Sequence, residues 1–333
     1  MIKVTALTSG RHVPSSRFRV RQFIAPLRSL GIQVSEHYPL LNKYRTRRLL
    51  PLALLARLPG VLASRPAEVT WLERELVPGR HTLEHLAGRR RLLDVDDAIW
   101  LNDPNHSERL VRACHGLVAG NEFIADYYRK FDLPVWTIPT SVDTARWRPR
   151  SPGARNHWTI GWTGSSSNLG YLYRIEEALA DFLTEHKETQ FLIVCDRRPV
   201  LKKIPAESWR FARWSAENEI SLIQEMDVGL MPLPDTEWAR GKCGLKMIMY
   251  LALGIPAIGS PIGVGKTLLA QHDVGLAAHD PSEWFDALRL LFKDNEGSAR
   301  LGKAGRKLVE EQFSVTANAP KLAAVIHEIA ASR

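Results

Sequence analysis

The stretch Arg240-Gly-Lys-Cys-Gly-Leu-Lys246 puts three cations into seven residues, with glycines at 241 and 244 and an apolar, helix-compatible run to Gly254 directly behind it. Glycines let a backbone approach a ligand closely, and unpaired N–H groups at a helix start, with Lys or Arg beside them, favour a phosphate. Gly254 reads as a helix stop, residues 255–258 as a short buried strand, and residues 259–265 as a second glycine-rich turn. Strand ends and helix starts of this kind line one ligand crevice in an open α/β sheet. A solvated basic loop before a core helix is the alternative, and the flanking glycine turns favour the anion site.

Two other stretches carry candidate chemistry. Arg91-Leu-Leu-Asp-Val-Asp-Asp97 ends a strand with three carboxylates, where parallel sheets bind ligands. An Asp-x-Asp pair also suits a divalent cation, so Asp94 and Asp96 are candidates for manganese or magnesium. Strand alternation, however, sends Asp94 and Asp96 to one face and Asp97 to the other, and Asp97 also suits a helix cap ahead of Ala98. An active-site role for at least one aspartate is favoured over capping, and chelation ranks last. The loop Thr163-Gly-Ser-Ser-Ser-Asn-Leu-Gly170 follows a strand-like 158–162 and precedes a helix expected over 171–185, a layout that suits phosphate.

Near the N-terminus, a polar loop containing Gly10 leads into a helix expected over 18–30, capped by Ser15 or Ser16, with Arg17, Arg19 and Arg21 in its first turns. Cations there oppose the helix dipole, which an anion nearby would relieve, and long arginines lying over the surface account for them equally well. Three familiar motifs fail. Gly263-Val-Gly-Lys-Thr267 resembles the end of a P-loop, but Ser260 stands where the first glycine belongs. No GxGxxG follows the first strand and no GxSxG occurs.

The elements that must position these residues alternate. Strand-like segments at 2–7, 32–38, 68–72, 91–95, 116–119 and 135–138 are separated by helix-compatible ones, and a turn-rich basic stretch at 140–153 ends that half. The second half starts afresh, with strands at 158–162, 191–195, 209–214, 228–231, 255–258 and 274–277 and a final helix over 317–331. This alternation predicts parallel, doubly wound sheets, and 333 residues suit two domains. The chain has the composition of a soluble globular protein. Three widely spaced cysteines without a CxxC suggest neither a disulfide framework nor a zinc site and fit a reducing cytoplasm. The first strand begins at residue 2, with no signal peptide before it.

The net charge of +9 is unevenly spread, because residues 1–65 hold twelve Lys or Arg against one acid, Glu36. Residues 40–62, leucine-rich with Lys43, Arg45, Arg47, Arg48 and Arg57, suit an anionic membrane surface. Pro51 and Pro59 are expected to break that stretch, and a helix covering the sheet would need the same leucines. Nucleic acid is not an expected partner.

Ser15-Ser-Arg-Phe-Arg19, Asp94-Val-Asp-Asp-Ala98, Gly120-Asn-Glu122, Ile138-Pro-Thr-Ser-Val-Asp143, Gly161-Trp-Thr-Gly164, Arg240 through Lys246, Gly254-Ile-Pro256 and Ser260-Pro-Ile-Gly263 together resemble glycosyltransferase family 4, in family order over nearly the whole chain. The resemblance implies a GT-B fold: two Rossmann-like doubly wound domains facing across a cleft, residues 1–150 on the acceptor side and 151–316 on the donor side, with 317–333 crossing back as a C-terminal helix. It implies a retaining, metal-independent hexosyltransferase that uses no cofactor beyond a nucleotide-diphosphate sugar and serves a glycan or lipid-linked acceptor in polysaccharide biosynthesis, in the cytoplasm or on the inner membrane face.

Carried over by residue, Lys246 contacts the donor diphosphate. Gly164, Ser165 and Ser166 lie beside it, Ser260 to Gly263 form the following loop, and Asp96 or Asp97 meets the sugar or acceptor. Arg240, Gly241 and Lys242 complete the donor site, and Gly10 with Arg17 lies on the acceptor or phosphate side. Two family glutamates are replaced by Gly241 and Met249. A catalytically silent sugar-nucleotide-binding or scaffold protein is the alternative that this replacement permits.

Overall fold

The computed structural model describes residues 1–39, 50–80, 82–150 and 157–332. Contacts divide the chain into two compact units. One comprises Met1–Asp143, Gly241–Cys243 and Phe313–Arg333, the other Thr144–Arg240 and Gly244–Gln312.

In the first unit β1 (Ile2–Leu7), α1 (Ile24–Ser29), β2 (Ile32–His37), α2 (Leu50–Ser64), β3 (Val69–Glu73), β4 (Arg91–Val95), α3 (Pro104–Arg112), β5 (Gly116–Ala119), α4 (Glu122–Tyr128) and β6 (Val135–Thr137) follow one another. The strands form one parallel sheet in the order β2-β1-β3-β4-β5-β6. A parallel sheet is covered on both faces, so its strands are apolar runs rather than alternations. Val69, Trp71, Leu92 and Val118 are accordingly buried in one core with Phe23 and Leu27. The C-terminal helix, Val315–Ala331, belongs to this unit and adds Leu322, Ile326 and Ile329 to the same core. Its N-cap is Ser314, whose hydroxyl accepts the Ala317 N–H at 3.0 Å.

Two local expectations are corrected. Residues 18–30 do not form one helix: a π-type turn at Ser16–Val20 and a 3-10 turn at Arg21–Phe23 precede α1. Neither Ser15 nor Ser16 caps it, because the Ser16 hydroxyl turns back to the 9–10 loop. Nor does proline break the leucine-rich stretch. α2 runs unbroken through Pro59, and Pro51 is its second residue, inside the first turn where a missing N–H costs nothing. α2 covers the sheet with Ala53, Arg57 and Val61, not with its leucines. Residues 40–49 of that stretch lie outside the described residues. Among the described residues no helix is long and apolar enough to cross a membrane.

The second unit contains β7 (Trp158–Gly164), α5 (Glu176–Glu185), β8 (Thr189–Cys195), β9 (Trp209–Arg213), β10 (Val228–Met231), α6 (Leu245–Ala252), β11 (Ala257–Gly259), α7 (Val264–Gln271), β12 (Gly275–Ala277), α8 (Pro281–Lys293) and α9 (Asn295–Leu308). Its strands are parallel in the order β12-β11-β10-β7-β8-β9. The helix expected over 171–185 is interrupted, with 3-10 turns at Ser166–Asn168 and Tyr173–Ile175 before α5. Tyr250 seats α6 on the sheet. Its ring lies over Gly229, where a Cβ would come within 2.3 Å of it. Its hydroxyl accepts the Thr163 N–H at 3.0 Å and donates to the Leu230 carbonyl at 3.3 Å. Lys246, one turn earlier on the same helix, is thereby held at the end of β7.

Candidate active site

In the first unit the C-terminal ends of β3 and β4 gather Glu73, Arg74, Asp94, Asp96 and Asp97. Asp94 is buried and clamped by Arg19, with Nε at 2.8 Å from Oδ1 and Nη2 at 3.2 Å from Oδ2, while Nη1 donates to the Ile138 carbonyl at 2.8 Å. Burial pushes the Asp94 carboxyl up to about 6, and Arg19 holds it from rising further.

Past Val95 the chain leaves the strand, so the alternation that would separate Asp96 from Asp97 no longer applies. Both carboxylates meet Arg74, which bonds Asp96 through Nε and lies 2.8 Å from Asp97 through Nη2. Asp97 spends its side chain there rather than on a helix cap. The following turn, Ile99–Leu101, has Ala98 at its N-cap position and no side-chain cap. Lys242 Nζ stands 4.0 Å from Asp97 Oδ1. Burial raises the Asp97 carboxyl, with Arg74 opposing and the Asp96 charge adding to the rise. An Asp94–Asp96 chelate is disfavoured by this arrangement, since each carboxylate already faces an arginine, and no group of metal-ligating side chains stands out among the described residues.

Arg74 was not legible as a functional residue. It has φ +57°, the one positive φ outside glycine among the described residues. A long side chain in that region is strained and is held there by its surroundings, here by the two aspartates. Arg74→Gly relieves the backbone and removes the cation, whereas Arg74→Lys keeps the cation. The expected result is an Asp97 carboxyl that titrates at higher pH in Arg74→Gly than in Arg74→Lys, read from its carboxyl carbon chemical shift. Superimposable titrations would show that Arg74 does not govern Asp97.

The Gly10 loop holds an internal anion. Glu73 accepts the Ser9 N–H at 2.6 Å, the Ser9 hydroxyl at 2.7 Å and the Ser16 hydroxyl at 2.7 Å, and the Gly10 N–H goes to Ser16 Oγ at 3.2 Å. Gly10, expected on the acceptor or phosphate side, thus gives its N–H to the same Ser16 hydroxyl that serves a buried carboxylate of the chain itself. Arg17 lies with its guanidinium carbon 5.0 Å from the Phe18 ring centre.

In the second unit Lys246 is half-buried, its Nζ 5.4 Å from the centre of the buried Trp162 ring. Gly164 is what makes room: a Cβ there would stand 2.8 Å from Lys246 Cε and 2.8 Å from the indole. Lys246 is the second residue of α6, where a cation opposes the helix dipole, so the position suits an anion that both attract. The neighbouring serines face elsewhere. Ser166 gives its N–H (2.6 Å) and hydroxyl (3.0 Å) to Asp196, which these bonds hold below the ordinary carboxylate range although burial works upward. Ser165 Oγ bonds Ser167 Oγ at 2.8 Å and accepts from Asn168 at 2.9 Å.

The three cations of the opening motif do not form one cluster. Arg240 pairs on the surface with Asp235 at 2.8 Å, Lys242 lies by Asp97, and Lys246 lies over Trp162. Ser260 Oγ accepts the Leu233 N–H at 3.0 Å, fixing the loop after β11. Gly263 adopts φ +55°, and a Cβ there would stand 2.7 Å from the Arg240 carbonyl oxygen. Gly241 packs against Ala98, where a Cβ would approach within 2.6 Å, and its carbonyl accepts from Asn121 Nδ2 at 3.1 Å. Cys243 Sγ donates to the Asp96 carbonyl at 3.2 Å.

Residues 158–294 match the family described as glycosyl transferases group 1. That match covers the second unit, which is similar to group 1 glycosyltransferases, and the chain as a whole has the GT-B fold. Among solved structures, sucrose-phosphate synthase from Thermosynechococcus elongatus is 13% identical, covers 100% of both chains and superposes with a TM-score of 0.73. HepE from Anabaena, solved with UDP-glucose, is 13% identical over 98% of this chain and 100% of its own, with a TM-score of 0.68. WaaG, a glycosyltransferase involved in lipopolysaccharide biosynthesis, is 12% identical over 97% of this chain and 99% of its own, with a TM-score of 0.68. No curated protein matches the sequence.

The chain departs from the family pattern at positions that the packing explains. A glutamate at 241 has no space beside Ala98, and Met249 is buried in α6. Glu73 and Arg74 in the first unit, and Trp162 and Asp196 in the second, are further residues at these strand ends that sequence reasoning did not single out. Each sits at, just before or just after the C-terminal end of a strand, so strand ends were the available signal.

Proposed function

We propose that the protein is a retaining, metal-independent hexosyltransferase that moves a sugar from a nucleotide-diphosphate sugar to a glycan or lipid-linked acceptor. The observation that carries this reading is Lys246 at the start of α6, laid across Trp162 over the bare backbone of Gly164. Cleaving a sugar–diphosphate bond builds negative charge on the leaving phosphate, and a preorganised ammonium beside a helix start lowers that barrier. Asp96 and Asp97, oriented by Arg74, are the candidates for contact with sugar or acceptor. Arginine pairing of Asp94, Asp96 and Asp97 supports chemistry without a chelated metal.

A second reading, a sugar-nucleotide-binding scaffold without turnover, draws support from Gly241 and Met249, neither of which offers a carboxylate for the nucleotide ribose. A panel of nucleotide sugars, UDP-glucose included, separates the two when thermal shift and mass spectrometry are run together with EDTA present. The enzyme stabilises on and consumes one donor, whereas the scaffold stabilises without consumption. We also propose that the protein works on the cytoplasmic membrane face as a peripheral protein, the basic first 65 residues supplying attraction to anionic lipid.

A further inference from the structure

α2 is built inside out for a surface helix. Its inward face is small or polar. Ala53, Val61 and Ser64 are buried, and the single charged residue, Arg57, is turned inward with its guanidinium on the Thr8 carbonyl. The outward face is Pro51, Leu52, Leu55, Leu58, Pro59 and Leu62, with Leu55 65% exposed and the other leucines 38–47%. A surface helix normally directs its charged and polar residues outward and its leucines inward. Here four leucines at helical spacing form an apolar stripe with no polar side chain in it.

We infer that this stripe is a docking face that inserts into the headgroup and acyl boundary of an anionic phospholipid surface. The inference rests on the peripheral-membrane reading above and names the residues that perform it. Charge chooses the occupant. Between Glu36 and Glu68 the sequence has no acid and six Lys or Arg, and Arg65 stands exposed just past the end of α2. A second copy on this face would bring two strongly cationic halves together about a two-fold axis, which like-charge repulsion opposes. Protein interfaces also carry aromatic and hydrogen-bonding groups that this stripe lacks. Leucine without polar atoms, in a segment whose sequence is acid-free and cationic and with Arg65 exposed just past the helix, fits acyl chains under anionic headgroups.

Because the leucines point away from the fold, Leu55→Glu with Leu58→Glu leaves the core untouched, and an unchanged melting temperature checks this. The full chain is floated with vesicles of phosphatidylcholine alone and of phosphatidylcholine with phosphatidylglycerol, at low and high salt. The expected result is wild-type flotation on the phosphatidylglycerol vesicles, reduced but not abolished by salt, and a loss of about tenfold or more in the double variant. Equal flotation of wild type and variant overturns the role of this face while leaving the membrane reading standing. No flotation of the wild type on either vesicle overturns both. A wild-type dimer in solution that the double variant dissolves assigns the stripe to a second copy and likewise overturns the inference.

Discussion

Lys246→Ala is expected to lower the turnover of the nucleotide sugar by about 100- to 1,000-fold, roughly 3–4 kcal/mol of transition-state stabilisation. The melting temperature should stay within a few degrees of the wild type. Fold and function separate here for local reasons. Alanine is at least as good a helix former as lysine at the second position of α6. The helix is seated by Tyr250 on Gly229 and by the tyrosine hydroxyl, contacts that the substitution does not touch. What disappears is the ammonium above Trp162. Its effect belongs in the rate constant rather than in KM if the charge it meets develops as the sugar–phosphate bond breaks. A variant that raised KM with an unchanged rate constant would make Lys246 a binding residue only, and full activity would remove it from the site. Gly164→Ala serves as a steric counterpart, because its methyl group would push on both Lys246 and Trp162.

The sheet was legible and the seams between its motifs were not. Every strand expected from the apolar runs is present within a few residues, because strands covered on both faces leave an uninterrupted hydrophobic record. α2 shows where such a record leaves the answer open. Its leucines suited either an anionic membrane surface or the sheet, and it is Arg57, reaching inward to Thr8, that turns them outward, a rotation that no local pattern reveals. The cation motif at 240–246 was legible as a motif, but its division was not. Asp235 lies five residues before Arg240, and Asp97 is distant in sequence from Lys242, so their pairing depends on tertiary folding. Arg74 escaped notice because a charged residue after a strand is ordinary. Its positive φ and its two carboxylate partners exist only in three dimensions.

Arg19→Met should be the most destabilising single change in the first unit, costing about 3–5 kcal/mol, because it strands a buried carboxylate. Arg19 and Asp94 side chains are each only 2% exposed, so water cannot replace the guanidinium. The cost should depend on pH in a definite direction. Burial has already raised Asp94 from an ordinary 3.8 to about 6 in the folded chain, so its native form holds a proton where the unfolded chain has lost it. A group raised in this way contributes stability that is fully present below the unfolded value and is lost as pH rises through the folded one. Without Arg19 the carboxyl climbs further, and Arg19→Met should therefore be nearer the wild type at pH 5 than at pH 8. Asp94→Leu on top of Arg19→Met removes the stranded charge and should recover most of the loss, leaving mainly the unmatched Ile138 carbonyl. Urea unfolding of the single and double variants at both pH values measures this. A cost that is independent of pH and survives in the double variant would mean that Arg19 acts through packing and Ile138, not through Asp94.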